Sequence, residues 1–156
     1  AAYNGNSRMV DLLMKAGADS TTIGMAGKNP MVYASARFYL NIVQRLWQSM
    51  DKPDVNTRYG NNLTVLIWAA GHGNDVPPAD RIAITKYLLS VGADPPLTDN
   101  QGKSALHITA EPGYHQIVKL LLEKGADSNV QDNNGDTPLA LASTPSVRDV
   151  LLSTDD

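Results

Sequence analysis

A tripeptide that recurs at a nearly fixed spacing constrains this chain more than any other feature of its sequence. Gly-Ala-Asp occurs at residues 17–19, 92–94 and 125–127, and Asp54 holds the corresponding place in a less regular segment. The separations between these four aspartates are 35, 40 and 33 residues. They equal a period of 33 with insertions of two, seven and none, so the sequence predicts a series of repeated structural units.

Each unit has a turn signal at the same place. Eight residues after each aspartate stands a glycine or an asparagine, at Gly27, Asn62, Gly102 and Gly135. Both residue types adopt the left-handed backbone that tight turns need. Apolar segments follow from residues 29, 64, 104 and 137, with the sequences NPMVYAS, TVLIWAA, SALHITA and TPLALAS. We therefore expect a hairpin turn before each apolar segment.

The segments around these turns predict two helices in each unit. SRMVDLLMKAG, ITKYLLSVG and HQIVKLLLEKG have the apolar spacing of short amphipathic helices that end at a glycine. VYASA, IWAAG and HITAE are rich in alanine and predict a shorter helix with a small face that allows close approach. Because each helix is too short to be stable alone, stacked pairs must bury a common core.

The most complete unit is DNQGKSALHITAEPGYHQIVKLLLEKGADSNVQ, at residues 99–131. Its Asp and Gly turn, SALH segment, aliphatic helix and final Gly-Ala-Asp resemble the ankyrin repeat family. The resemblance implies an all-α solenoid of stacked antiparallel helix pairs with protruding β-hairpin loops. It implies one domain over residues 1–156, divided into a partial repeat at 1–23, repeats at 24–58, 59–98 and 99–131, and a truncated C-terminal repeat at 132–156.

Composition narrows the functional classes. The 156 residues are 42% apolar and include 13 basic and 16 acidic residues, for a net charge of −3. This mild acidity offers no basic surface for nucleic acid or anionic lipid, and no apolar run approaches the roughly 18 residues of a membrane helix. The absence of cysteine excludes thiolate nucleophiles and cysteine-ligated metals. We predict a cytoplasmic monomer, with a periplasmic or exported location left open.

Residue 1 falls inside a repeat, which suggests either a fragment of a longer protein or an unusually short first helix. The N-terminus has no polar cap, whereas the charged C-terminal segment STPSVRDVLLSTDD could cap the stack.

The histidines give little support for catalysis, which needs converging titratable groups. They are His72, His107 and His115. For His107, the family resemblance implies that its ring and the Ser104 hydroxyl tie the hairpin to the helix start. His107 and Glu111 are four residues apart and could form half of a metal site. The matching positions of the other units hold Val32, Ile67 and Ala140, so we predict no catalytic site, no metal site and no cofactor.

The remaining candidate is the concave face, defined as the hairpin tips together with the exposed ends of the shorter helices. By resemblance, ankyrin proteins bind other proteins there. On the hairpins these positions hold Met25, Ala26, Lys28, Asn61, Leu63, Asn100, Gln101, Lys103, Asn133, Asn134 and Asp136; on the helices they hold Arg37, His72 and Glu111. We predict a non-catalytic module that binds a partner protein. The alternatives are a structural or regulatory segment without its own partner site and, more remotely, an enzyme or metal-binding protein.

The second repeat departs from the pattern at two glycine positions. Phe38 aligns with Gly5, Gly73 and Gly113, and Met50 aligns with Gly17, Gly92 and Gly125. Because glycine at such places indicates a left-handed backbone, we expect this repeat to be strained or locally rebuilt, with Phe38 at an exposed turn. Phe38→Gly should then leave stability equal or raise it. A contact surface formed by Phe38, Trp47 and Met50 is the alternative.

Two further features of the sequence need a place in the fold. The insertion around NDVPPAD, residues 74–80, should form a loop between the two helices of its unit. Trp68 occupies the same helix position as Tyr33, Ile108 and Leu141. For Trp68 we favour apolar packing over a role as a ligand-stacking platform.

Overall fold

The computed structural model describes residues 1–24, 27–50, 53–71 and 77–153. Within these residues the chain forms nine α-helices and two short 3₁₀ helices. The α-helices are α1 Ser7–Lys15, α2 Pro30–Ala36, α3 Leu40–Ser49, α4 Val65–Gly71, α5 Pro78–Ser90, α6 Ala105–Ala110, α7 His115–Glu123, α8 Pro138–Leu141 and α9 Pro145–Leu152. The 3₁₀ helices are Ala2–Asn4 and Gly60–Asn62. Strand pairing in the described residues is limited to two isolated bridges at the hairpins.

The helices form two layers. The shorter helices α2, α4, α6 and α8 pack against one another in chain order and form the inner layer. The longer helices α1, α3, α5, α7 and α9 do the same and form the outer layer. Each inner helix also packs on the outer helix that follows it. The expected all-α repeat solenoid is thereby confirmed.

The core repeats with the same period as the turns. The outer helices α3, α5, α7 and α9 each bury two aliphatic residues four positions apart, at Ile42 and Leu46, Ile84 and Leu88, Ile117 and Leu121, and Val147 and Leu151. The inner helices bury Val32, Leu66 and Leu106 together with alanines that allow close approach. Burying an aliphatic side chain contributes about 1.5–3 kcal/mol, so adjacent units stabilise helices that would not persist alone.

His107 contacts Ser104 at the start of α6, as the family resemblance implied, and it also contacts the next unit. Its Nδ1 accepts a hydrogen bond from the Ser104 N–H at 3.2 Å and lies 3.0 Å from the Ser104 hydroxyl. Because Nδ1 is an acceptor, Nε2 carries the proton and donates to the carbonyl oxygen of Asp136 at 3.0 Å. The side chain is fully buried. Both nitrogens are thus occupied, which rules out the half metal site with Glu111.

Phe38 has the predicted backbone but not the predicted exposure. Its φ is 60°, in the left-handed region, as are those of the aligned Gly5 (69°) and Gly113 (82°). Only 6% of the residue is exposed, and its side chain belongs to the apolar core. The guanidinium of Arg81 stacks 4.7 Å from the ring centroid. The expectation of an exposed turn is therefore wrong, because α5 of the next unit covers the ring.

The end of α3 is rebuilt, as expected for the second repeat. Met50 is extended, with φ −89° and ψ 138°, whereas Gly17, Gly92 and Gly125 have φ values of 80°, 96° and 85°. Met50 and Trp47 are partly buried against the core. Both side chains therefore help to close this end of the unit.

The large insertion lies between the two helices of its unit, as predicted, but the loop expected at 74–80 was drawn too long, because residues 78–80 form the first turn of α5. α4 ends at Gly71 and α5 begins at Pro78, so the added residues connect the two helices of one unit. Residues 72–76 lie outside the described part of the chain.

Candidate partner-binding surface

Four hairpins precede the inner helices, and each is closed in the same way. The N–H of one residue donates to the carbonyl oxygen four positions later, at 2.9–3.0 Å. The pairs are Gly24 and Lys28, Tyr59 and Leu63, Asp99 and Lys103, and Asp132 and Asp136. The four hairpins are therefore closed by equivalent hydrogen bonds and recur along the stack of helices.

Backbone hydrogen bonds also join neighbouring hairpins to one another. The N–H of Gly60 donates to the carbonyl of Gly27 at 3.3 Å. The same contact follows from Asn100 to Asn61 at 3.0 Å and from Asn133 to Gln101 at 2.9 Å. We call this series the hairpin row. It fixes the tips in one line, so their exposed side chains share a face.

Two buried or half-buried aspartates shape the last two hairpins, and the sequence reasoning did not single them out. Asp99 accepts from the N–H groups of Gln101 and Lys103 at 2.8 and 2.9 Å. Asp132 accepts from those of Asn134 and Asp136 at 2.8 and 3.1 Å. Burial alone would raise the pKa of Asp132, but these two N–H groups hold it below its ordinary value. The Asp shared by these two turns, three residues before the turn glycine, was the available signal.

The structure brings most of the predicted site residues onto this face. Asn61, Asn100, Gln101 and Asn133 lie in the hairpin row, and the Asn133 side chain also donates to the Asn100 carbonyl at 3.0 Å. The exposed members of the predicted set are Arg37, Asn61, Asn100, Gln101, Glu111, Asn133 and Asn134; the half-buried members are Lys28, Leu63, Lys103 and Asp136. Met25, Ala26 and His72 lie outside the described residues.

A group of aromatic and basic side chains lies at the N-terminal part of this face; we call it the basic-aromatic cluster. The Lys28 ammonium is 4.0 Å from the Trp68 ring centroid and 5.7 Å from that of Tyr33. Tyr33 meets Tyr3 edge to face, with centroids 5.6 Å apart. The Arg37 guanidinium carbon is 4.4 Å from the Tyr3 ring, and the Tyr3 hydroxyl accepts a hydrogen bond from this side chain.

Sequence reasoning found only part of this cluster. It placed Lys28 and Arg37 on the face but treated Tyr33 and Trp68 as packing residues and did not consider Tyr3. The packing interpretation is correct for Trp68, which is only 6% exposed. The repeated aromatic residues at one helix position were the available signal for the cluster.

The fourth unit differs in charge at the matching positions. Lys103 aligns with Lys28, and its ammonium lies 3.7 Å from the Glu111 carboxylate. Ile108 stands where the third unit has Trp68. The hairpin lysine of the fourth unit is thus neutralised by a carboxylate, whereas that of the second unit rests on aromatic rings.

Several open grooves adjoin the stack in the described part of the chain, and two of them lie near residues discussed above. One of about 400 Å³ is lined by Tyr3, Leu13, Lys28 and Tyr33 among others, and one of about 420 Å³ lies between the starts of α5 and α7. Across the described ranges, no group of three or more His, Asp or Glu residues could hold a metal ion. No helix in the same ranges is long and apolar enough to cross a membrane.

Comparison with known families agrees with the repeat geometry. Residues 78–153 match the family model described as ankyrin repeats, in three copies. The matched region contains α5 to α9 and the hairpins at Asp99 and Asp132. Ankyrin repeats are generally protein–protein interaction modules and are typically non-catalytic. Together with the stacked helix pairs and the hairpin row, this match shows that residues 78–153 belong to the ankyrin repeat family.

Proposed function

We propose that this chain is a non-catalytic module that binds a partner protein on its concave face. The hairpin row is the observation that carries the proposal. Backbone hydrogen bonds between successive tips hold Asn61, Asn100 and Asn133 in one line, so the backbone that carries these side chains needs little further ordering when a partner docks. A pre-organised surface loses less conformational entropy on binding.

The chemistry of the face supports binding rather than catalysis. Its exposed groups are mainly amides, which donate and accept hydrogen bonds but do not exchange protons near neutral pH. His107, whose ring contacts the carbonyl of Asp136 in the last hairpin, is fully buried and hydrogen-bonded through both ring nitrogens. It therefore has no nitrogen available as a general base.

In this proposal one domain presents one surface. The domain contains the repeats at 24–58, 59–98 and 99–131 together with the flanking partial units. The direct contacts between neighbouring hairpins support this division, because every unit from residue 24 onwards contributes a tip to the same row.

A charge-reversal pair tests the site. Partners are captured on the immobilised chain, identified by mass spectrometry and purified. Their affinity is then measured for the double variant Lys28→Glu with Lys103→Glu. Both lysines lie on hairpins of the face, so we expect binding to weaken about tenfold or more, with the helical circular dichroism unchanged.

The matched control reverses two lysines away from the face. Lys119 and Lys124 are exposed on or just after the outer helix α7, and Lys119→Glu with Lys124→Glu should leave affinity within about twofold. If the control weakens binding while the hairpin pair does not, the partner binds the outer helices and the proposed site is wrong. If no partner is captured at all, the structural or regulatory alternative gains support.

A further inference from the structure

The basic-aromatic cluster is one continuous surface across three units. Trp68 of the third unit, Tyr33 of the second and Tyr3 of the first are linked through Lys28 and an edge-to-face contact. Arg37 extends the cluster on the side of Tyr3. Ring faces attract cations through their quadrupole without removing the positive charge. The cluster therefore orders two cationic groups while leaving them able to bind an anion.

The two cations have no carboxylate at ion-pair distance among the described residues. The ion pairs found there join Arg45 to Asp11 and Lys103 to Glu111. Asp19 lines the same groove as Lys28, but its carboxylate accepts hydrogen bonds from the Thr21 hydroxyl at 2.6 Å and the Thr21 N–H at 2.8 Å. The Thr21 hydrogen bonds also lower the pKa of Asp19. This part of the face thus carries a local positive charge on a chain that is acidic as a whole.

The positions of the cations limit the shape of what binds them. Lys28 lies just before α2 and Arg37 caps its C-terminal end. A helix of seven residues is about 10 Å long. In an extended peptide, side chains four residues apart point to the same face and are about 13 Å apart. Two carboxylates at that spacing can reach both cations at once.

We propose that the basic-aromatic cluster binds an extended acidic segment of the partner protein, with two Asp or Glu residues four positions apart. One carboxylate pairs with Lys28 and the other with Arg37, and the residues between them lie against Tyr3 and Tyr33. The inference rests on the proposed function and adds the chemistry of the partner. Carboxylates are favoured over nucleic acid because the chain has a net charge of −3, which opposes binding of a polyanion.

Selection from a random peptide library tests the chemistry without a known partner. Twelve-residue peptides displayed on phage are selected on the folded chain at low salt. The enriched peptides should carry Asp or Glu pairs at the stated spacing. Synthetic copies in which the acids become Asn or Gln should bind about tenfold more weakly or worse, since only the charge is removed.

Protein variants then locate the binding. Lys28→Gln and Arg37→Gln should each weaken binding of the selected acidic peptide several-fold. Raising the salt concentration should weaken binding of the same peptide to the wild-type chain. Lys28→Arg, which keeps the charge, should bind almost normally. Lys119→Gln is the matched control, because that lysine is exposed on the outer helix α7, away from the cluster, and the variant should bind as the wild type does.

The outcomes separate this inference from the proposed function. If the selected peptides are not enriched in Asp or Glu, and substitutions at Asn100 and Asn133 weaken their binding, then the acidic segment is wrong but the concave binding face is retained. If no substitution on the concave face weakens peptide binding, then both this inference and the proposed function are wrong. A twelve-nucleotide single strand that binds more tightly than the selected peptide would assign the cluster to nucleic acid instead. The Asn and Gln peptides decide the role of charge even if a variant proves unstable.

Discussion

The second and fourth units contain the same helix pair but have different residues at two equivalent positions. Between the helices, the fourth unit has Gly113 with φ 82° and the second has Phe38 with φ 60°. At the end of the outer helix, the fourth unit has left-handed Gly125, whereas Met50 of the second is extended. The turn between the helices therefore requires a left-handed residue whatever its side chain. The helix end does not, because the two added residues of the second unit provide another exit.

The next unit decides which side chain the turn accepts. A Cβ atom on Gly113 would lie 2.5 Å from the Thr144 side chain, so the fourth unit has no space there. Phe38 instead meets the Arg81 guanidinium, which lies between the rings of Phe38 and Tyr114. Arg81 also donates to the carbonyl of Ala70 at 3.0 Å. A buried cation thus connects the turns of two units and covers the aromatic ring.

The largest expected effect reverses the stability prediction that the sequence suggested. Removing a buried Phe ring costs about 3–5 kcal/mol, whereas relief of a left-handed backbone returns about 1–2 kcal/mol. Phe38→Gly should therefore lose about 2 kcal/mol or more of unfolding free energy. Thermal melts should show a decrease of about 5 °C. An unchanged or higher melting temperature would mean that strain outweighs burial and that the original expectation was right.

The reciprocal change tests whether space, rather than conformation alone, separates the two turns. Gly113→Ala combines left-handed strain with the contact at Thr144, and we expect a loss of about 2 kcal/mol. Gly125→Ala is the control, since its φ is 85° but its Cβ would meet nothing within 4 Å. It should lose about 1 kcal/mol from backbone strain only. Equal losses in chemical denaturation would show that Thr144 moves aside freely.

A pH-dependent effect should distinguish the fourth unit from the second. Burial, the largest cause, lowers the pKa of His107, while the Asp136 carbonyl and Asp132 raise it and Lys103 lowers it further. Since the folded pKa lies below the unfolded value of about 6.5, the unfolded chain binds the proton more readily. Stability is then lost as the pH falls below about 6.5. His107→Gln should therefore lose less stability than the wild type between pH 7.5 and 5.

The control for this measurement is His115→Gln, at the start of α7. Melting temperatures of the three proteins are compared across the same pH range. If the wild type and His107→Gln show the same dependence, then His107 does not control the acid sensitivity of the fourth unit.

The sequence predicted what depends on the period and missed what depends on contacts between units. The register placed left-handed residues correctly at Gly27, Asn62 and Phe38. It did not predict that Phe38 is buried, because Arg81 belongs to the next unit and no repeating pattern marks it. The basic-aromatic cluster was missed for the same reason. Its links join side chains of three units, and a register within one unit does not show which way Lys28 turns.

The smallest expected effect compares the two hairpin lysines. Lys103 makes a surface ion pair with Glu111, whose side chain is 63% exposed, and such pairs contribute about 0–1 kcal/mol. Lys28 stacks 4.0 Å from the ring of buried Trp68, a contact that contributes about 0.5–1 kcal/mol or more. We expect Lys103→Gln to lose less than about 0.5 kcal/mol at low salt, and almost nothing at high salt, because exposed charges are screened. Lys28→Gln should lose slightly more stability and be less sensitive to salt, since the ring excludes water from one side of the ammonium.

Urea denaturation at two salt concentrations gives the comparison of the two lysines. Repeating Lys28→Gln in a Trp68→Leu background isolates the contact between Lys28 and Trp68. A coupling near zero would show that Lys28 gains nothing from Trp68, and that its place above the ring is not set by their attraction.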